Sequence, residues 1–141
     1  MAYLSVNVGG AFIPVILALA LLVGTPLEET LLATGVMTAV SFLFSGYVIR
    51  KGVFIQRFFP ALVAALLALM LDSNAAPRIA FVSGVLGILI GADLIRIPWL
   101  LLFHRDQLLV IGGAGARDAI LVIPLTAVLV VLGQQLFLPF E

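Results

Sequence analysis

The chain of 141 residues is 64% hydrophobic and only 10% charged, with a mean hydropathy of +1.32, whereas soluble domains carry roughly 25% charged residues; a lipid bilayer is its solvent. Seven basic and seven acidic side chains cancel to a formal net charge of zero, which leaves no electrostatic footprint for a nucleic-acid partner. Cysteine is missing from the sequence, so disulfides, thiolate metal sites and cysteine nucleophiles are excluded.

With a helical span taken as about 20 apolar residues, the first runs from about Leu4 to Val23 and contains Asn7, Gly9, Gly10 and Pro14. Met1 to Leu4 lacks the positive segment of a secretory signal, so this run reads as retained. Pro14 removes a hydrogen-bond donor and disfavours helix at Ile13, while the glycine pair frees the backbone before it. The pattern predicts either an unwound first third or a Pro-kinked, closely packed helix. Thr25 is a candidate N-cap for a second span that starts at Pro26 and runs to about Val48. Arg50-Lys51-Gly52 opens a basic connection ending at Arg57. The third apolar run, Phe58 to Leu71, supplies about 21 Å of helix, so it is short, little tilted, or extended into Val53-Phe54-Ile55. Asp72 to Pro77 is a turn by composition, and a fourth span runs from about Ile79 to Ile95, held between Arg78 and Arg96.

Trp99 to Asp106 is aromatic and basic, suited to lying at the membrane interface. The next stretch, Leu108 to Leu125, sets Gly112, Gly113, Gly115, Arg117 and Asp118 between two apolar runs. Each glycine disfavours regular helix by about 1 kcal/mol relative to Ala, so a half-span is predicted at Leu108 to Ala116, before a last span from about Ala119 to Leu138. Residues 1–141 thus read as one all-α domain, a polytopic transmembrane helical bundle of about five spans with a Gly-rich broken or re-entrant segment. So small a bundle encloses little, and a homo-oligomer is expected.

Charge sets the orientation. With the N-terminus inside, Arg50, Lys51, Arg57, Arg96 and Arg105 are all cytoplasmic, opposite Glu28, Glu29, Asp72 and Arg78, as the positive-inside rule requires. Asp93 then ends a helix running inward and Asp118 begins one running outward, which puts both acids toward the same side as Asn7 and Ser45. A carboxylate at membrane depth costs about 2.5 to 3.5 kcal/mol on insertion scales, so a functional meeting of Asp93 with Asp118 is expected. Two carboxylates within a few ångströms share a proton and titrate as a pair; one serves as general base on a water while the other polarises a carbonyl. Gly112, Gly113 and Gly115 would receive a substrate strand by β-augmentation, with Asn7 and Arg117 as further polar partners.

The competing reading pairs Asp93 with Arg96 at helical spacing and leaves Asp118 at a helix start, where the dipole favours it. Helical geometry adds a constraint. Gly84, Gly87 and Gly91 form a small-residue stripe for close packing, and at about 100° per residue Asp93 points away from it. That helix is therefore either buried on two faces or loosened near Gly91. His104 reads as solvated beside Arg105, and Ser83-Gly84 is too weak a signal for a nucleophile. No metal-ligand set and no cofactor fingerprint is present, since Gly113-Ala114-Gly115 lacks the further spaced glycine of a dinucleotide site.

The strings Asn7-Val8-Gly9-Gly10-Ala11-Phe12-Ile13-Pro14, Val82-Ser83-Gly84, Gly91-Ala92-Asp93-Leu94 and Gly112-Gly113-Ala114-Gly115 with Asp118 resemble an uncharacterised family of small prokaryotic integral membrane proteins, a domain of unknown function. That resemblance implies a prokaryotic cytoplasmic membrane and supplies no activity. A more distant similarity is to GxGD-type intramembrane aspartyl proteases of the presenilin and prepilin peptidase kind, whose second acid follows a Gly-x-Gly-Asp motif and whose first sits on the preceding helix. It implies catalytic roles for Asp118 and Asp93, and a transmembrane peptide as substrate. Here Ala116 and Arg117 intervene between Gly115 and Asp118, and Pro60-Ala61-Leu62 precedes the acids rather than following them. A small transporter or channel is the alternative class. Gly- and Pro-interrupted segments at both ends of the chain, Gly9 to Pro14 and Gly112 to Pro124, resemble the broken helices of ion sites, where the same acids would bind a proton or cation.

Overall fold

The computed structural model describes residues 3–48, 52–103, 108–111 and 118–137. Helices α1 (Ile13–Leu22), α2 (Leu27–Phe44), α3 (Phe58–Leu71), α4 (Ala76–Ile88), α5 (Ile97–Phe103) and α6 (Ala119–Phe137) form the expected bundle. Among the described residues three stretches are long and apolar enough to cross a membrane, α2, α6 and the run Ala76–Phe103, whereas Val8–Leu22 and α3 are shorter. Side chains such as Leu31, Leu32, Leu43, Leu129 and Leu136 face outward, an apolar exterior that suits lipid.

Helix α4 is the central element because its small residues admit neighbours on several sides. It packs against α1, α2, α3 and α6, and every residue from Ile79 to Val85 is buried. Gly84 faces Pro124 of α6, Gly87 faces Met37 of α2, and Gly91 faces Thr38 and Ser41 of α2. The glycine stripe thus serves two partners. The same helix also loosens, turning π-helical over Leu89–Leu94 (π2), where the Ile95 N–H donates to the Ile90 carbonyl at 3.0 Å, five residues back. Both outcomes foreseen for Asp93 are realised together.

The entry to α1 is unwound, as one of the two sequence readings required. Tyr3–Val6 is a strand, β1, and a π-helical turn over Val8–Phe12 (π1) follows Asn7. Two pairs of short strands lie beside the helices. β2 (Ser45–Val48) and β3 (Gly52–Ile55) form an antiparallel hairpin. β4 (Leu108–Ile111) pairs in parallel with β1, in the register Tyr3↔Leu108 to Val6↔Ile111. Several boundaries are corrected accordingly. The second span stops at Phe44, Val53-Phe54-Ile55 is strand rather than an extension of α3, and the half-span expected from Leu108 begins as a strand; its remainder lies outside the described residues. Four-residue apolar strands carry no period that separates them from buried helix. Thr25 also differs from expectation: its hydroxyl donates to the Leu21 carbonyl and closes α1, while α2 starts after Pro26 with no side-chain cap.

Candidate functional site

Asp93 stands on π2, half-buried, directly after buried Gly91 and Ala92. Asp118 stands immediately before α6 and caps it. One of its carboxyl oxygens accepts from the Ile120 N–H at 3.0 Å, and its carbonyl accepts from Val122 N–H at 2.8 Å and Leu121 N–H at 3.1 Å. The capping role foreseen for Asp118 is therefore observed. The Asp118 carboxyl lies within electrostatic reach of Asp93. Tertiary packing accounts for this approach, since Ala92 of π2, Ile111 of β4, Ile120 of α6 and Ala11 of π1 are buried in one apolar cluster.

Arg96 does not pair with Asp93. Its Nη2 donates to the Phe42 carbonyl at 2.8 Å and the Ser45 carbonyl at 2.9 Å, and its Nε donates to Ser45 Oγ at 3.2 Å. The guanidinium also sits 5.0 Å from the centroid of the Phe42 ring. These acceptors are the open carbonyls at the C-terminus of α2, the negative end of its dipole. Among the described residues Asp93 therefore has no cationic partner. Arg96→Ala is expected to lower stability by about 1 to 2 kcal/mol through loss of these charge-assisted bonds. Denaturant unfolding of the detergent-solubilised protein measures it, and an unchanged midpoint contradicts the clamp.

Asn7 joins the two ends of the chain. Its backbone N–H donates to the Ile111 carbonyl at 2.8 Å, and its Oδ1 accepts from Gly10 N–H at 2.9 Å, capping π1. Asn7→Ala is expected to cost about 1 kcal/mol, the value of a lost N-cap, in the same unfolding assay. Gly112, Gly113, Gly115 and Arg117 lie outside the described residues, between Ile111 and Asp118. Among the described residues no group of three or more His, Cys, Asp or Glu is arranged to hold a metal ion. Sequence reasoning missed Ser45 as the seat of Arg96, because the two residues belong to different helical runs. It also missed an apolar cavity lined by Val6, Phe12, Leu94 and Ile111 among others, whose lining carries no signal in so apolar a chain.

The sequence profile of a family described as a protein of unknown function, DUF1614, matches residues 1–130. The chain belongs to that family. The match to DUF1614 takes in β1, both acids and most of α6, so the whole of the site falls within it. No curated protein and no solved structure matches the chain.

Proposed function

We propose that this DUF1614 protein is an intramembrane aspartyl protease with Asp93 and Asp118 as its acid–base pair. It would sit in a prokaryotic cytoplasmic membrane with the N-terminus inside, as a homo-oligomer acting on transmembrane peptides. One observation carries the reading: Arg96, the cation at helical spacing from Asp93, is held by the carbonyls at the end of α2, while half-buried Asp93 on π2 and Asp118 at the start of α6 flank one apolar cluster. The mechanism requires one acid ionised and the other protonated, the state that two carboxylates at close range favour. The ionised acid takes a proton from water as the oxygen attacks the peptide carbonyl, and the protonated acid donates to the carbonyl oxygen. Collapse of the tetrahedral intermediate then passes a proton to the leaving amine. Strand β4 leads toward Asp118 and belongs to a two-stranded sheet, whose outer edges can take an extended substrate. Gly112, Gly113 and Gly115 would contact the substrate backbone, with Asn7 and Arg117 as polar contacts.

The test is direct. Purified protein in lipid vesicles is given a panel of transmembrane peptides labelled at both ends, and two fragments are expected from at least one of them. A bell-shaped dependence of rate on pH is expected from one protonated and one ionised acid. Intact peptides throughout the panel, or a pH-independent rate, overturn the reading. A transporter is the second reading on one observation: the parallel pairing of β1 with β4 sets strand rather than helix before π1, an interruption of the kind that surrounds ion sites. Cation or proton uptake into the same vesicles that Asp93→Asn removes, without peptide cleavage, favours it.

A further inference from the structure

Helix α2 carries hydroxyls at Thr30, Thr34, Thr38 and Ser41, at spacings of four, four and three residues that put them on one face. That face meets α4, with Met37 against Gly87 and with Thr38 and Ser41 against Gly91. Both contacts advance by one turn in the same direction, so the two helices run parallel, and the turn before Gly87, which holds Ser83, lies level with Ala33 and Thr34. Ile79 and Ala80, one turn before Ser83 on the same face of α4, pack with Ala33 and Met37 of α2 and with Ala64 and Ala68 of α3. None of these side chains can bond a hydroxyl. The threonines are satisfied locally: the Thr30, Thr34 and Thr38 hydroxyls donate to the Pro26, Thr30 and Thr34 carbonyls at 2.6, 2.7 and 2.8 Å, the bond to the fourth residue back that a helix offers them. The two serines make no such bond. Ser41 and Ser83 are both 0% exposed, and neither hydroxyl has a hydrogen-bond partner among the described residues.

We propose that water is bound inside the bundle between α2 and α4, held by the Ser41 and Ser83 hydroxyls. A buried hydroxyl without a partner is costly, and internal water is the usual partner of buried polar groups that the protein leaves unpaired. The line of hydroxyls suits water in particular. Each back-bonded threonine has its proton committed and keeps oxygen lone pairs to accept with, whereas each serine still has a proton to donate. A ligand that both donates and accepts satisfies the two kinds together. One helical turn is about 5.4 Å, the span of two hydrogen bonds of about 2.8 Å through one oxygen, so a single water bridges hydroxyls on successive turns. A metal cation fits less well. No acid lies between Thr30 and Ser41 of α2 or between Ala76 and Ile88 of α4, and an unpaired buried charge is far costlier than a buried water. Ser41 packs on Gly91, two residues before Asp93, so the water would lie on the side of α4 that continues into π2. The inference stands apart from the protease reading, because it rests on hydroxyls that the proposed chemistry does not use.

X-ray radiolysis of the full chain in lipid vesicles tests it, because hydroxyl radicals made from a bound water oxidise the side chains beside it. Met37 is the reporter. It is completely buried, stands one turn before Ser41 and faces Gly87, one turn after Ser83. Oxidation of Met37 in the folded parent is expected. The double variant Ser41→Ala with Ser83→Ala is expected to lower that oxidation about tenfold, the effect of losing hydrogen bonds of ordinary strength, with its unfolding midpoint checked on the same preparation. Each single variant is expected to lose part of the label, which keeps the assignment testable should the double variant unfold. An unlabelled Met37 in the parent means a dry seam, with both serines bonded back to their own helices, and overturns the inference. Equal labelling in the parent and in folded serine variants overturns it as well, since the water is then held elsewhere. The parent is also compared in vesicles prepared with and without sodium or potassium. Unchanged labelling is expected of water, whereas labelling that the salt suppresses assigns the hydroxyls to a cation and overturns the inference.

Discussion

Replacing Asp93 with asparagine is expected to slow peptide cleavage about 100- to 10,000-fold, the range supplied by one positioned acid or base, while the protein remains folded. The exchange preserves shape and removes a carboxyl that is half-buried and repelled by Asp118, so its unfolding midpoint is expected to hold or rise. Asp118→Asn is expected to lose cleavage to the same degree and to keep the start of α6, because asparagine caps a helix about as well as aspartate. Asp118→Ala removes both, at a further cost of about 1 kcal/mol for the lost bond to Ile120 N–H. The double variant Asp93→Asn with Asp118→Asn is expected to be no slower than either single one, since groups acting as a unit are not additive. Rates on a labelled transmembrane peptide and unfolding midpoints, measured on the same preparations, separate chemistry from folding. A single Asn variant that cleaves at the parent rate removes that residue from the catalytic pair.

Asp93 and Asp118 stood out in the sequence because acids inside long apolar runs are rare and expensive, and the charge asymmetry of the connections gave the reason to expect both on one side. The glycines at 84, 87 and 91 likewise announced close packing, and the conflict between their face and that of Asp93 foretold the loosening that π2 provides. Other features depended on partners that no local pattern displays. Strand β4 reads as any other apolar run until β1, from the opposite end of the chain, lies against it. Arg96 sits at helical spacing from Asp93, yet its guanidinium reaches the open carbonyls of Phe42 and Ser45 once α2 is packed alongside. Thr25 obeyed the general preference of threonine for helix ends but served the end behind it rather than the start ahead. In each case tertiary packing chose the partner that the local rule could not name.

Gly91→Ala tests whether that packing also sets the acid in place. A methyl group at Gly91 would be driven into the carbonyl oxygen of Thr38 and close to Ser41 Cβ. The first obstacle is backbone, so no rotamer change relieves it, and α2 and π2 must separate. Overpacking of this kind costs about 1 to 3 kcal/mol. The displacement falls two residues before Asp93, and a misplacement of about 1 Å at a reacting group costs about 100-fold in rate. Cleavage is therefore expected to fall far more than stability alone explains, at temperatures where the variant is still folded. Gly35→Ala supplies the contrast, because nothing lies within 4 Å of a Cβ there. In the interior of α2 it is expected to stabilise by up to about 1 kcal/mol through helix propensity and to leave the rate unchanged. If Gly91→Ala proves as stable and as active as Gly35→Ala, the contact between α2 and π2 does not position Asp93, and the acid must be held by its own helix and by α6.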